Sequence, residues 1–122
     1  MTLALGSSTI GATPVASLWA LEPIQAVLRL RQLPEGWDRA GSPPPGNLAI
    51  QGAIEVVDAV VELGLDDIPV PQIFPVPGGG VQIEWGEGDR ELEIEVLPSG
   101  RAEYVKGIQG QPTEEGDILV WN

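Results

Sequence analysis

Between Val81 and Tyr104 apolar and polar residues alternate, and two turn sequences interrupt the alternation where they fix how the strands pair. A period of two is the pattern of a strand with one buried face. Gly88-Asp89 suits a two-residue hairpin turn. It sets Glu87 against Arg90, an opposite-charge pair, then Trp85 against Leu92, Ile83 against Ile94 and Val81 against Val96. A slip of one residue would send every apolar side chain to the wrong face. Pro98-Ser99-Gly100 makes the next turn, with Gly100 in the left-handed position of a bulged three-residue loop. That turn sets Val96 against Ala102 and Ile94 against Tyr104. The inner face is therefore Val81, Ile83, Trp85, Leu92, Ile94, Val96, Ala102 and Tyr104.

An apolar sheet face needs a cover, and the preceding chain supplies it. Asn47 is placed to cap a helix over about 48–63. Ile50, Ala53, Ile54, Val57, Val60 and Val61 share one side of it, and Gln51, Glu55, Asp58 and Glu62 the other. Gly64 stands where a helix commonly ends. An earlier helical stretch lies within 14–33, with Thr13 as N-cap and Pro14 at the first position. Pro23 lacks an N–H and clashes inside a helix, so a short turn over 16–21 and a main helix from Glu22 are expected. Pro69, Pro71, Pro75 and Pro77 confine Gln72–Val76 to a sheet edge. Asp117–Trp121 is expected as a fifth strand that offers an edge for pairing across a dimer.

The expected fold is α+β: two amphipathic helices packed on one face of a four- to five-stranded antiparallel β-meander. One domain over 14–122 follows an N-terminal segment, 1–13, that reads as a flexible tail or a short strand. That segment is apolar but has no basic residue of the kind that opens a signal peptide. A cytoplasmic protein, monomer or homodimer, is the expectation.

Composition narrows the chemistry. The chain has no cysteine and no histidine, so thiolate sites and the commonest general base are missing. No phosphate-loop or nucleophile-elbow motif occurs, and no cofactor is implied. Eighteen acidic residues against six basic ones give a net charge of -12. That balance disfavours nucleic acid and anionic membrane and suits a basic partner protein.

The strand registers give the acidity a location. They place Glu84 opposite Glu93 and Glu95 opposite Glu103 on the outer face, with Arg101 at its margin. A solvated face that resists aggregation would look the same. A carboxylate surface for a basic partner is the functional reading. Trp121 is a further candidate anchor for a partner. In the connector, Trp37 is expected to plug the junction between helices and sheet. Asp38 is expected to bond backbone N–H groups toward Ala40 and Gly41, with Gly41 free to take a positive φ.

The connector Leu33–Pro45 reads LPEGWDRAGSPPP, and GGVQIEW ends at Trp85. These runs, with the helix between them and the Glu-rich strand and Pro-x-Gly turn that follow, resemble a family of small bacterial proteins. Its motifs are Leu-Pro-x-Gly-Trp-Asp-x-x-Gly-x-x-Pro-Pro and Gly-Gly-Val-x-Ile-Glu-Trp. The resemblance spans about residues 33–104 and implies no activity. The sequence thus reads as a non-catalytic acidic interaction module that neutralises or escorts a basic protein, as an antitoxin, immunity protein or complex subunit does. The alternative is a carboxylate-based, divalent-metal-dependent enzyme or metal-binding protein.

Overall fold

The computed structural model describes residues 2–6, 14–62 and 69–121. In chain order these form β1 (Thr2–Gly6), α1 (Pro14–Arg29) with a 3-10 turn at Leu30–Gln32, α2 (Asn47–Glu62), β2 (Gln72–Val76), β3 (Gly80–Glu87), β4 (Arg90–Val96), β5 (Ala102–Ile108) and β6 (Glu114–Trp121). Strands β2 to β6 make an antiparallel meander, and α1 and α2 pack on one face of it. The fold is α+β.

Both hairpin registers fall where the alternation puts them. Val81 pairs with Val96, Ile83 with Ile94, Trp85 with Leu92 and Glu87 with Arg90. Val96 pairs with Ala102, and Ile94 with Tyr104. Gly100 takes φ +91° and donates its N–H to the Leu97 carbonyl at 2.8 Å, closing the bulged turn. The inner face forms one core with the helices, in which Val27, Val56, Val57, Val81, Ile83 and Val96 are wholly buried. Trp85 belongs to it, yet its indole N–H is buried without a hydrogen-bond partner. Nothing in the structure explains that exception to the usual pairing.

Helix α2 is buried more widely than a single apolar stripe requires. Ala49, Val56 and Ala59 are buried beside Ile50, Ala53, Val57 and Val60, because α2 contacts both the sheet and α1. Asn47 is the first helical residue, not the cap: the first helical bond runs from Ile50 N–H to the Gly46 carbonyl at 3.0 Å. The Asn47 side chain instead accepts from Arg31 Nη2 at 3.4 Å. Thr13 and Gly64 lie outside the described residues.

Three expectations are corrected. First, α1 does not begin at Glu22; it runs unbroken from Pro14 through Pro23. The proline forgoes one backbone bond, but its ring is fully buried, and packing against the rest of the fold outweighs the local preference. Second, of the two readings of the N-terminal segment the short strand holds for Thr2–Gly6, and it belongs to the domain: β1 pairs parallel with β6 from Thr2↔Asp117 to Gly6↔Trp121. Residues 7–13 lie outside the described residues. Third, β6 is longer than expected and is an inner strand. The sheet order is β1-β6-β5-β4-β3-β2, so β1 already occupies the edge of Asp117–Trp121 expected to pair across a dimer. A parallel partner carries no hairpin turn to announce it.

Candidate functional site: the outer face of the sheet

The face opposite the helices is covered by no helix or strand among the described residues. Cross-strand partners arrange its side chains in two rows. One row runs Gln72, Glu84, Glu93, Val105, Glu115; the next runs Phe74, Gln82, Glu95, Glu103, Asp117. Side chains directly opposite one another stand about 5 Å apart at Cβ. Glu84 therefore neighbours Glu93, and Glu95, Glu103 and Asp117 stand side by side. Glu91 extends the first row's strand toward the hairpin.

The neutral members give the face its texture. Gln82 donates from Nε2 to Glu84 Oε1, tying the rows together. Val105 and Phe74 remain exposed, which offers apolar surface among the carboxylates. An open depression of about 390 Å³ is lined by Gln82, Glu93, Glu95, Glu103, Val105, Glu115 and Asp117. A second, of about 360 Å³, adjoins it at Glu93 and reaches Glu84 and Glu91. Both are open and lined by charge, unlike the enclosed, mostly apolar sites that hold small organic ligands. Among the described residues, no group of three Asp or Glu side chains is arranged to hold a metal ion.

The six cations are placed elsewhere. Arg29, Arg31 and Arg39 lie on α1, the 3-10 turn and the connector. Arg90 and Lys106 occupy inner-face positions at the strand ends, opposite Ile108 and Leu92. Arg101 is exposed in the turn before β5, at the margin of the outer face. No outward position within the described strands carries a cation.

The structure thus brings Glu84, Glu93, Glu95 and Glu103 together and sets Arg101 beside them. It adds Glu91, Glu115 and Asp117. The first is legible from the same hairpin; the other two require the register of β6. Trp121 is the last residue of β6, paired with Gly6; its side chain lies outside the described residues.

The connector motif is a self-contained loop. Asp38 Oδ1 accepts from Ala40 N–H at 2.9 Å and Ser42 N–H at 3.1 Å, and Oδ2 accepts from the Ser42 hydroxyl at 2.5 Å. Ser42 in place of Gly41 is the second backbone partner, and Gly41 supplies the positive φ, +83°. These bonds, the Ser42 hydroxyl first, hold the Asp38 carboxyl below its usual pKa of 3.8. Ser42 Oγ also accepts from Gly78 N–H at 3.3 Å, which fastens the loop to the β2–β3 turn. Trp37 does not plug the core. It is half-buried, and its indole N–H donates to the Pro43 carbonyl at 2.9 Å. The indole instead closes the loop on itself. The Trp37 indole, the Asp38 carboxylate and the Ser42 hydroxyl all have structural partners, which accounts for these three without a ligand.

No helix among the described residues is long and apolar enough to cross a membrane. Compared with protein-family models, with curated proteins and with solved structures, the chain matches none.

Proposed function

We propose that this chain is a non-catalytic, acidic interaction module whose outer sheet face docks a basic partner protein. It would neutralise or escort that partner, as an antitoxin, immunity protein or complex subunit does. The observation that carries the reading is the segregation of charge. Glu84, Glu91, Glu93, Glu95, Glu103, Glu115 and Asp117 occupy outward strand positions, and no Lys or Arg does.

Such an arrangement opposes folding. Two unit charges about 5 Å apart repel by about 0.8 kcal/mol even at the dielectric constant of water, before salt screening. Interspersed signs would give solubility without that repulsion. A cationic partner relieves it, and the one-signed field speeds the encounter. The exposed Val105 suits the aliphatic stem of a lysine or arginine whose head reaches the flanking carboxylates.

Reversing Glu93 and Glu95 to lysine tests the reading. Both side chains leave the core untouched, so the melting temperature should stay near that of the parent. Capture from the source cell should yield a stoichiometric basic partner with the parent. With the double variant, association should slow and lose much of its salt dependence. An unchanged rate and an unchanged salt slope would reduce this face to a solubility device.

A further inference from the structure

The two edges of the sheet are built in opposite ways. Strand β2 forms one edge, and Pro75 lies within it. In an antiparallel pair, residues alternate between those whose N–H and C=O face the partner and those whose groups face away. Proline within a sheet takes the outward set, where its missing N–H is not needed. Pro69, Pro71, Ile73 and Pro77 share the parity of Pro75. This edge is thus stripped of donors except at Ile73, and it resists strand addition.

Strand β1 forms the other edge. Its sequence is Thr-Leu-Ala-Leu-Gly, with no proline and no charge. All five residues are in register with β6, so the backbone is held extended while its alternate N–H and C=O groups face outward. Its length is typical of strands. It carries neither of the sequence devices, a proline or a lysine, that blunt the edges of natural sheets.

We infer that β1 pairs with β1 of a second copy of this chain, antiparallel about a two-fold axis, to make one continuous twelve-stranded sheet. An identical edge is the occupant that closes the assembly, since a two-fold contact uses the same patch twice. Charge is the obvious objection, and the geometry answers it. With Ala4 on the axis, Thr2 of one copy faces Gly6 of the other. Asp117, which neighbours Thr2, is then separated from its equivalent by three strand spacings, about 14 Å across the sheet, and by about 13 Å along it. Both exceed the screening length of about 8 Å at physiological ionic strength. The uncharged strand acts as a spacer between two acidic faces, which then lie on the same side of the assembly. This inference stands apart from the proposed partner, because it uses the edge and not the face.

Sedimentation of the unmodified chain across a wide concentration range, in physiological salt, should show one-chain particles giving way to two-chain particles. The absence of native cysteine allows a positional test. Leu3→Cys, Ala4→Cys and Leu5→Cys would each be oxidised beside Val105→Cys, an exposed position on the outer face. Thiols held together at the axis sit at a millimolar effective concentration. At about 0.1 mM chain, one edge position should therefore cross-link about tenfold faster than Val105→Cys. Paired strands bring Cα atoms to within about 4.5–5.5 Å, inside the span of a disulfide. A chain that stays single at every concentration overturns the inference. So does a two-chain particle whose edge positions cross-link no faster than Val105→Cys.

Discussion

Gly52 sits inside α2, where helix propensity and packing make opposite predictions for alanine. Propensity favours Gly52→Ala by about 1 kcal/mol, because glycine leaves more backbone freedom to lose on folding. Packing opposes it. A Cβ on Gly52 would lie 2.8 Å from the Gly100 carbonyl oxygen, 2.8 Å from Val96 Cγ1 and 3.3 Å from the Gly100 Cα. Neither near neighbour yields cheaply. Val96 is wholly buried in the core. The Gly100 carbonyl belongs to a turn pinned by Gly100 N–H to Leu97 O at 2.8 Å and Leu97 N–H to Arg101 O at 2.7 Å. Overpacking of this kind costs about 1–3 kcal/mol, enough to offset the propensity gain. We expect a net loss centred on about 1 kcal/mol, read as a lower urea midpoint at unchanged slope. Gly86→Ala is the control. A Cβ there meets nothing within 4 Å, and the midpoint should hold or rise. The test also reaches the proposed site, because the turn that α2 abuts is the one that positions Arg101 and Glu103. If Gly52→Ala is as stable as the parent or more so, α2 does not seat against that turn.

Tyr104 is the chain's one tyrosine, so tyrosinate absorbance reads it alone. Burial raises its pKa above 10.0, as do its 2.9 Å bond to Glu114 Oε2 and that carboxylate's charge. The stability this shift contributes is full below pH 10.0 and is lost as pH rises through the higher folded value; a native midpoint at or below that of the unfolded chain refutes it. Asp38 has the opposite sign. Its pKa is lowered, so its contribution is present above pH 3.8 and lost as pH falls through the folded value. Carboxyl titration by NMR should place Asp38 below 3.8 in the parent and nearer to it in Ser42→Ala; no difference between the two removes the hydroxyl as the main cause. Trp37→Ala should lower stability by about 1–2 kcal/mol, a lost hydrogen bond and partial burial, and not the 3–5 kcal/mol typical of an emptied core site. Denaturation that gave the larger loss would place the indole in the core.

What the sequence discloses here follows loop length. Two short turns tie β3, β4 and β5 together, and each turn admits one register that keeps Ile83, Ile94 and Tyr104 on one side. Turn chemistry and alternation therefore suffice to place Glu84, Glu93, Glu95 and Glu103 on one face. Pro23 misleads for the converse reason. Its local preference is strong, but its buried ring and packing against distant segments decide the outcome. Val56 and Ala59 escape a single-stripe reading in the same way, because burial on a second side of α2 depends on where α1 comes to rest. Size alone assigns Trp37 to the core. Its half-exposed position goes with a bond to the Pro43 carbonyl, which size does not disclose.

The pairing of β1 with β6 lies furthest from what a pattern can show. Nothing in Thr2–Gly6 names a partner, and a parallel neighbour needs no turn to reach it. Yet that pairing decides how the acidic face is bounded. On the β2 side the rows end on Gln72 and Phe74, beside an edge stripped of donors by Pro71 and Pro75. On the far side the second row passes from Glu103 to Asp117 and ends at Thr2, on a strand without charge. Apart from Glu115, which ends the first row on the part of β6 that β1 does not reach, these carboxylates are separated from the edges by a neutral strand on each side. That placement separates two surfaces that acid residues spread over every strand would have merged. On the proposed reading the face serves a cationic partner, and the neutral β1 edge serves a second copy of the chain.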